Sequence, residues 1–196
     1  DTLRDRALNG DRDALGSLLQ RYRPRLRSLI DLRLSPTLRR RVSPDDVLQE
    51  VSLEALRDFP SYPESGVPTI YLWLRSITMS KLIDLQRHHL GVQARDARRE
   101  ISLDRSTALD ASGEMIAARL LARWTTPSHV VSRGEQLSRL EKALNELDRI
   151  DREVVALRHF EALSNQEAAA VLKISPDATS KRHVRALLRL KKAFEA

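Results

Sequence analysis

Apolar residues return every three or four positions along most of this chain, which is the period of an amphipathic helix and not of a strand. The clearest run is Leu137, Leu140, Leu144 and Leu147, followed by Ile150, Val154 and Leu157. From Asp1 to about Leu90 a similar pattern is interrupted by Pro24, Pro36 and Pro44 and by the cluster Pro60, Pro63, Gly66 and Pro68, breaks that are expected to set helix ends. Between Ile101 and Arg133 the period lapses into Ser, Thr, Asp and Gly around one apolar patch, Ile116, Leu120, Leu121 and Trp124, and it closes on Thr125-Thr126-Pro127-Ser128. The expectation is an all-α protein of two small helical domains, residues 1–100 and 134–196, joined by a linker over 101–133 with room for one short helix.

Two helix starts stand close together near the C-terminal end. Ser164-Asn165-Gln166-Glu167 has the form of a capping box, in which the Ser hydroxyl accepts from the third N–H and the Glu reaches back. The helix it opens runs to Leu172 and meets Lys173-Ile174-Ser175-Pro176, where Ser175 suits an N-cap and Pro176 the first helical position. The second helix repeats Val184, Leu187 and Leu188 as an apolar face, with Lys181, Arg182, Arg185, Arg189 and Lys192 expected on the other side. Two helices joined by so short a turn, the second one basic, form the unit that places a helix N-terminus in the major groove. Ser175, Asp177, Ala178, Ser180, Lys181, Arg182 and Arg185 are then the candidate contacts to bases and phosphates. A basic helix face is often merely solvated, and the capped pair of helices favours DNA contact here; His183 suits packing as well as DNA.

The N-terminal half offers a different pattern. Ser43-Pro44-Asp45-Asp46 opens a helix with carboxylates where the helix dipole favours them. Asp46, Gln49, Glu50 and Leu53 share one face of it, and on spacing alone that stripe reads as a solvated surface. The next helix, from about Thr69 to His88, carries Ile70, Trp73, Leu74 and Ile77, then Lys81, Asp84, Arg87, His88 and His89. Trp73 reads as core, while Tyr62 and Tyr71 leave stacking on single-stranded bases open.

Composition narrows the chemistry. The 196 residues include 34 Lys and Arg against 27 Asp and Glu, a formal charge of +7, and nucleic acid is the common partner of such a balance. The absence of Cys excludes disulfides and thiolate chemistry. Adjacent His88 and His89 point to different helix faces and make a poor metal pair, so no metal and no cofactor are expected. No Gly-rich phosphate loop, Ser-centred elbow or His-Glu metal motif supports an enzyme. No run approaches the roughly 18–20 apolar residues that cross a bilayer, and the first residues lack a signal-peptide core, so a cytoplasmic protein without a membrane partner is expected.

Taken in order, these motifs resemble the extracytoplasmic-function class of the sigma-70 family of RNA polymerase sigma factors. Asp46-Val47-Leu48-Gln49-Glu50-Val51 is similar to the family's polymerase-docking motif, and Trp73-Leu74 with Ile77, Asp84 and Arg87 to its promoter-melting helix. Leu147 through Arg185, with Asp151-Arg152-Glu153-Val154-Val155, Leu157-Arg158-His159-Phe160 and Leu163-Ser164-Asn165-Gln166-Glu167, resembles its region 4 domain. The resemblance implies a region 2-like helical bundle followed by a region 4-like helix-turn-helix. It implies that Asp46, Gln49, Glu50 and Leu53 dock on the coiled coil of the largest subunit of core RNA polymerase, with the flap region as a further contact. It implies that Tyr62, Tyr71, Arg75, Ser80, Lys81, Asp84 and Arg87 hold the minus-ten strand, and that the second helix of the C-terminal pair reads the minus-thirty-five duplex. An anti-sigma factor is a possible further partner on the same ground. The chain departs from the family at Ser80, commonly Asn, at Lys173, often Gly, and at Thr179, often Val. Lys173 must then adopt a left-handed or otherwise unusual turn conformation without being Gly.

The competing reading is a helix-turn-helix regulator whose N-terminal half senses a ligand or dimerises; another is an antagonist that occupies polymerase without reading promoters. The acidic stripe followed by an aromatic and then basic helix favours the sigma-like order over the first, and the basic second helix argues against the other.

Overall fold

The computed structural model describes residues 2–94, 112–124 and 133–195. The chain divides into two compact units, Asp1–Leu109 and Asp110–Ala196. Every regular element among the described residues is helical.

The first unit contains α1 (Thr2–Leu8), α2 (Arg12–Arg33), α3 (Pro36–Arg39), α4 (Pro44–Asp58), a 3-10 segment (Phe59–Ser65) and α5 (Ile70–Ala94). Asp11 caps α2, its carboxylate accepting from the N–H groups of Asp13 and Ala14, both at 3.0 Å. Pro36 and Pro44 open their helices as expected, but α2 continues through Pro24. Pro24 is on the solvent side, where water can serve the carbonyl of Gln20 that loses its donor, while buried Leu18, Leu26, Leu29 and Ile30 hold the helix on both sides of it. The core forms where α2, α4 and α5 pack on one another, and Leu29 and Ile30 of α2, Val47, Leu48 and Val51 of α4 and Leu74 and Leu82 of α5 are all essentially inaccessible to solvent. Full burial of each large aliphatic side chain stabilises by about 1.5–3 kcal/mol, so these residues fix the mutual angles of the three helices. The 3-10 segment ends at Gly66, whose φ of 68° turns the chain toward α5.

The second unit contains α6 (Gly113–Trp124), α7 (Arg133–Glu146), α8 (Arg149–His159), α9 (Asn165–Leu172) and α10 (Pro176–Glu195). The apolar patch of the expected linker is α6, and its Ile116, Ala117, Leu120 and Leu121 are buried against α7. Part of the segment read as linker therefore joins the C-terminal core, because those four side chains need cover that a linker does not offer. The remaining linker positions, 101–111 and 125–132, lie outside the described residues. Around this core α10 packs on α7, α8 and α9, with Leu140, Leu144, Val154, Leu157, Ala186 and Leu190 at its centre.

Candidate polymerase and nucleic-acid interfaces

The capping box at Ser43 forms: Ser43 Oγ accepts from the Asp46 N–H at 3.1 Å, and Asp46 Oδ2 accepts from the Ser43 N–H at 3.1 Å. Asp45 faces α2 instead, where Arg27 and Arg23 pair with it and, Arg27 foremost, hold its carboxyl below the ordinary aspartate range. With Val47, Leu48, Val51 and Ala55 turned inward, Asp46, Gln49, Glu50 and Leu53 are left exposed together on one face of α4. Leu53, at the C-terminal end of the stripe, is 61 % exposed, and Leu56 three residues on is 45 % exposed, so a small apolar surface adjoins the polar one.

On α5, Lys81 lies 3.4 Å from Glu50 and 3.3 Å from Glu54, so the basic residue expected to hold nucleic acid is already paired with the acidic helix. The hydrogen bond to Glu54, with both carboxylates nearby, raises its pKa above the usual lysine value. Ser80, Asp84 and Arg87 are exposed, the last two forming an i,i+3 pair at 3.8 Å, and Arg75 is half-buried. The two tyrosines are not available. Tyr62 and Tyr71 are 2 % and 1 % exposed. Tyr62 stacks on Phe59 with ring centroids 5.8 Å apart and leans on Trp73 at 5.4 Å, while Tyr71 lies 5.8 Å from Tyr22 with the Arg25 guanidinium 3.5 Å over its ring. The proline-rich 3-10 turn folds Tyr62 inward and the buried start of α5 does the same for Tyr71, so no face is left for a base; Trp73 is core, as read from the sequence.

In the second unit the helix-turn-helix is built as its motif requires. Ser164 Oγ accepts from the Glu167 N–H at 3.2 Å and Glu167 Oε2 from the Ser164 N–H at 2.8 Å. Lys173 adopts φ 56°, ψ 41°, the left-handed conformation that its place in the turn demands. The reversal lets the Ile174 N–H reach the Ala169 carbonyl at 3.1 Å, satisfying an end of α9 that would otherwise be open. Ser175 then caps α10, accepting from the Ala178 N–H at 3.1 Å, and Asn165 Nδ2 donates to the Pro176 carbonyl at 2.7 Å, tying the two helices directly.

The rotation of α10 differs from the sequence expectation. Thr179, Ala186 and Leu190 are buried, whereas Val184 and Leu188, expected inside, are 54 % and 64 % exposed. Asp177, Ser180, Lys181, Val184, Arg185, Leu188 and Arg189 line the outward face, and Ala178 is half-buried. Arg182 turns inward: its Nη1 donates to Asp148 at 2.8 Å and to Asp151 at 2.6 Å. Arg185 also reaches Asp151, through Nε at 3.1 Å and Nη2 at 2.8 Å. Sequence periodicity missed this because the partner carboxylates belong to α8, more than thirty residues away along the chain. Beneath the same helix His183 Nε2 meets His159 Nε2 at 3.0 Å. Burial, then the neighbouring His183, Arg123 and Arg158, push His159 down to about 4, and burial with Arg158 lowers His183. His183 is thus a packing residue, and among the described residues no cluster of three metal-ligating side chains forms. No helix among them is long and apolar enough to cross a membrane.

A capped helix pair presenting a basic helix defines a DNA-binding protein of the helix-turn-helix class, and a separate unit exposes an acid and amide stripe. Comparisons agree. Residues 137–190 match the sigma-70 region 4 family. The chain is 29 % identical over 188 residues to the extracytoplasmic-function RNA polymerase sigma factor SigD of Mycobacterium tuberculosis (strain ATCC 25618 / H37Rv), covering 94 % of this chain and 79 % of SigD. It is 27 % identical over 194 residues to RNA polymerase sigma factor NccH of Alcaligenes xylosoxydans xylosoxydans, covering 97 % of this chain and 91 % of NccH. The solved structure of CnrH in complex with the cytosolic domain of CnrY matches with a TM-score of 0.54 and 25 % identity, over 99 % of this chain and 96 % of that one. Along nearly its whole length the chain is similar to extracytoplasmic-function sigma factors, and together with the sigma-70 region 4 match this supports a sigma factor's role in transcription initiation.

Proposed function

We propose a division of labour between the two units, the first meeting polymerase and the minus-ten element and the second, whose core includes α6, meeting the minus-thirty-five element through residues 134–196. The exposed face of α4, Asp46, Gln49, Glu50 and Leu53, docks on a basic, partly apolar surface of core polymerase, for which the coiled coil of the largest subunit is the candidate; the flap region is a candidate for the second unit. The exposed residues of α5, Ser80, Asp84 and Arg87 with Arg75 beside them, hold the unpaired strand, and α10 reads the upstream duplex. Tyr62 and Tyr71 act from the core, by holding α5 in place rather than by stacking on bases.

The observation that supports this reading most is the exposure of Leu53 at the end of an acid and amide stripe, on a unit of a chain whose other unit carries a capped, basic helix-turn-helix. The chain would work in the cytoplasm beside polymerase. Because CnrH is solved with the cytosolic domain of CnrY, a comparable anti-sigma domain is proposed as a partner here.

Glu50→Lys tests the docking assignment. It opposes a basic partner with like charge and is expected to weaken binding to core polymerase by at least roughly tenfold, an effect of the size that misplaced interface charges produce. Binding of the same full-length variant to an upstream duplex is expected to be unchanged. Unaltered affinity for core polymerase overturns the assignment.

A further inference from the structure

Asp151 is 2 % exposed and yet carries a carboxylate, on the third position of α8. Its backbone N–H donates to the capping carboxylate of Asp148 at 2.8 Å, and the start of a helix is where a negative side chain is favoured. The carboxylate faces α10 and receives two guanidinium groups spaced three residues apart: Arg182 Nη1 at 2.6 Å, and Arg185 through Nε at 3.1 Å and Nη2 at 2.8 Å. Asp148 adds a second acceptor for Arg182 at 2.8 Å. Both arginines lie on the basic repeat that would otherwise be assigned wholesale to DNA.

Two consequences follow from helix geometry. Residues three apart share a face, so anchoring 182 and 185 to α8 fixes the rotation of α10 about its axis. That rotation buries Thr179, Ala186 and Leu190 and turns Ser180, Lys181, Val184 and Leu188 outward. The anchor also spends the charge of Arg182, which is 28 % exposed and bound to two carboxylates, whereas Lys181, 77 % exposed on the outer face, has only a solvent-screened i,i+4 pair with the likewise exposed Asp177 at 2.8 Å.

We propose that Asp151 is a specificity-determining positioning residue: by holding Arg182 and Arg185 against α8 it sets the angle at which α10 meets duplex DNA and keeps Arg182 off the phosphates. The proposal rests on α10 being the duplex reader. The edge presented to the groove is then Asp177, Ser180, Lys181 and Val184, at i, i+3, i+4 and i+7, in which Lys181 supplies charge and Val184 an apolar surface that suits a thymine methyl. Arg185, bound through Nε and Nη2 and 54 % exposed, is shared between the anchor and the backbone of the DNA.

The test uses the full-length chain assembled with core polymerase, and measures binding to a labelled upstream duplex from a promoter it initiates from and to the same duplex scrambled, across a series of salt concentrations. Each phosphate contact contributes about 0.9 to the slope of log affinity against log salt. Arg182→Met is expected to leave that slope unchanged, and Lys181→Met to lower it by about 0.9. Asp151→Asn, which keeps the shape and removes the charge, is expected to raise the slope as Arg182 is released, and to reduce discrimination between the two duplexes by roughly tenfold. Should Asp151→Asn fail to fold, as read by thermal unfolding, the Arg182→Met arm decides alone: a slope lowered by about 0.9 overturns the proposal. Unchanged discrimination in a folded Asp151→Asn protein also overturns it. If the unsubstituted holoenzyme shows no preference for the promoter duplex while Lys181→Met leaves the slope intact, the duplex-reading assignment of α10 falls, and the anchor falls with it.

Discussion

Lys81 on α5 and Arg182 on α10 are both basic residues on helices expected to touch nucleic acid, and both are paired at close range with two carboxylates of a neighbouring helix. They differ in what surrounds the pair. Glu50 and Glu54 are 55 % and 25 % exposed, so Lys81 sits in a rim where water screens its attraction and an incoming partner can replace it. Asp151 is sealed, and Arg182 and Arg185 reach its carboxylate at the start of α8. The contacts of Lys81, at 3.3 and 3.4 Å, are thus interchangeable, whereas that of Arg182 with the sealed carboxylate, at 2.6 Å, is a structural clamp. Whether a cation is spoken for is read from the exposure of its partner together with the distance.

The largest effect should come from stripping the clamp. Arg182→Ala together with Arg185→Ala leaves Asp151 buried and unpaired, and is expected to lower the stability of the second unit by about 3–5 kcal/mol. Each unit holds one of the two tryptophans, Trp73 in the first and Trp124 in the second, so Trp73→Phe lets Trp124 fluorescence follow the second unit during thermal unfolding. A loss below about 1 kcal/mol would show that the clamp is as superficial as the Lys81 pair.

Acid sharpens the contrast at an intermediate scale. His159 is neutral in the folded protein down to about 4 and titrates near 6.5 when unfolded, so the unfolded chain binds more protons between those values. Stability supplied by the neutral imidazole is complete above pH 6.5 and declines as pH falls toward 4. Discounted for partial exposure, the loss is about 1 kcal/mol, or roughly 4–8 °C in the Tm of a unit this size, and His159→Gln should flatten the decline. The smallest effect belongs to Lys81→Met, which should change the stability of the first unit by less than about 1 kcal/mol, and by still less in high salt.

Local signals were the legible part of the sequence. The capping box at Ser164, the helix start at Ser43 with its first-turn carboxylates, Pro176 at the opening of α10 and the unusual turn conformation of Lys173 are all decided within a few residues, and the structure bears each of them out. The acidic face of α4 was legible too, because Val47, Leu48 and Val51 leave it one way to turn. What could not be read is whatever depends on a distant element. On α10 both apolar and basic residues repeat at three and four, so the pattern fits two rotations; Asp151, from another helix, selects the one that exposes Val184 and Leu188. Tyr62 and Tyr71 look like stacking platforms in a proline-rich stretch until Phe59 and, from α5, Trp73 close on the first and Tyr22 of α2 on the second. The patch at Ile116 to Leu121 was visible, but its destination in the second core was not.

The side-chain amide of Asn165, bonded to the Pro176 carbonyl, spans the elbow of the helix pair at 2.7 Å. An elbow braced in this way has little slack, so α9 and α10 travel together, and a complex that required one to swing against the other would have to break that brace. Docking on the double helix is accordingly a lock-like encounter of preformed shapes, its speed governed by collision and charge steering rather than by waiting for a hinge to open.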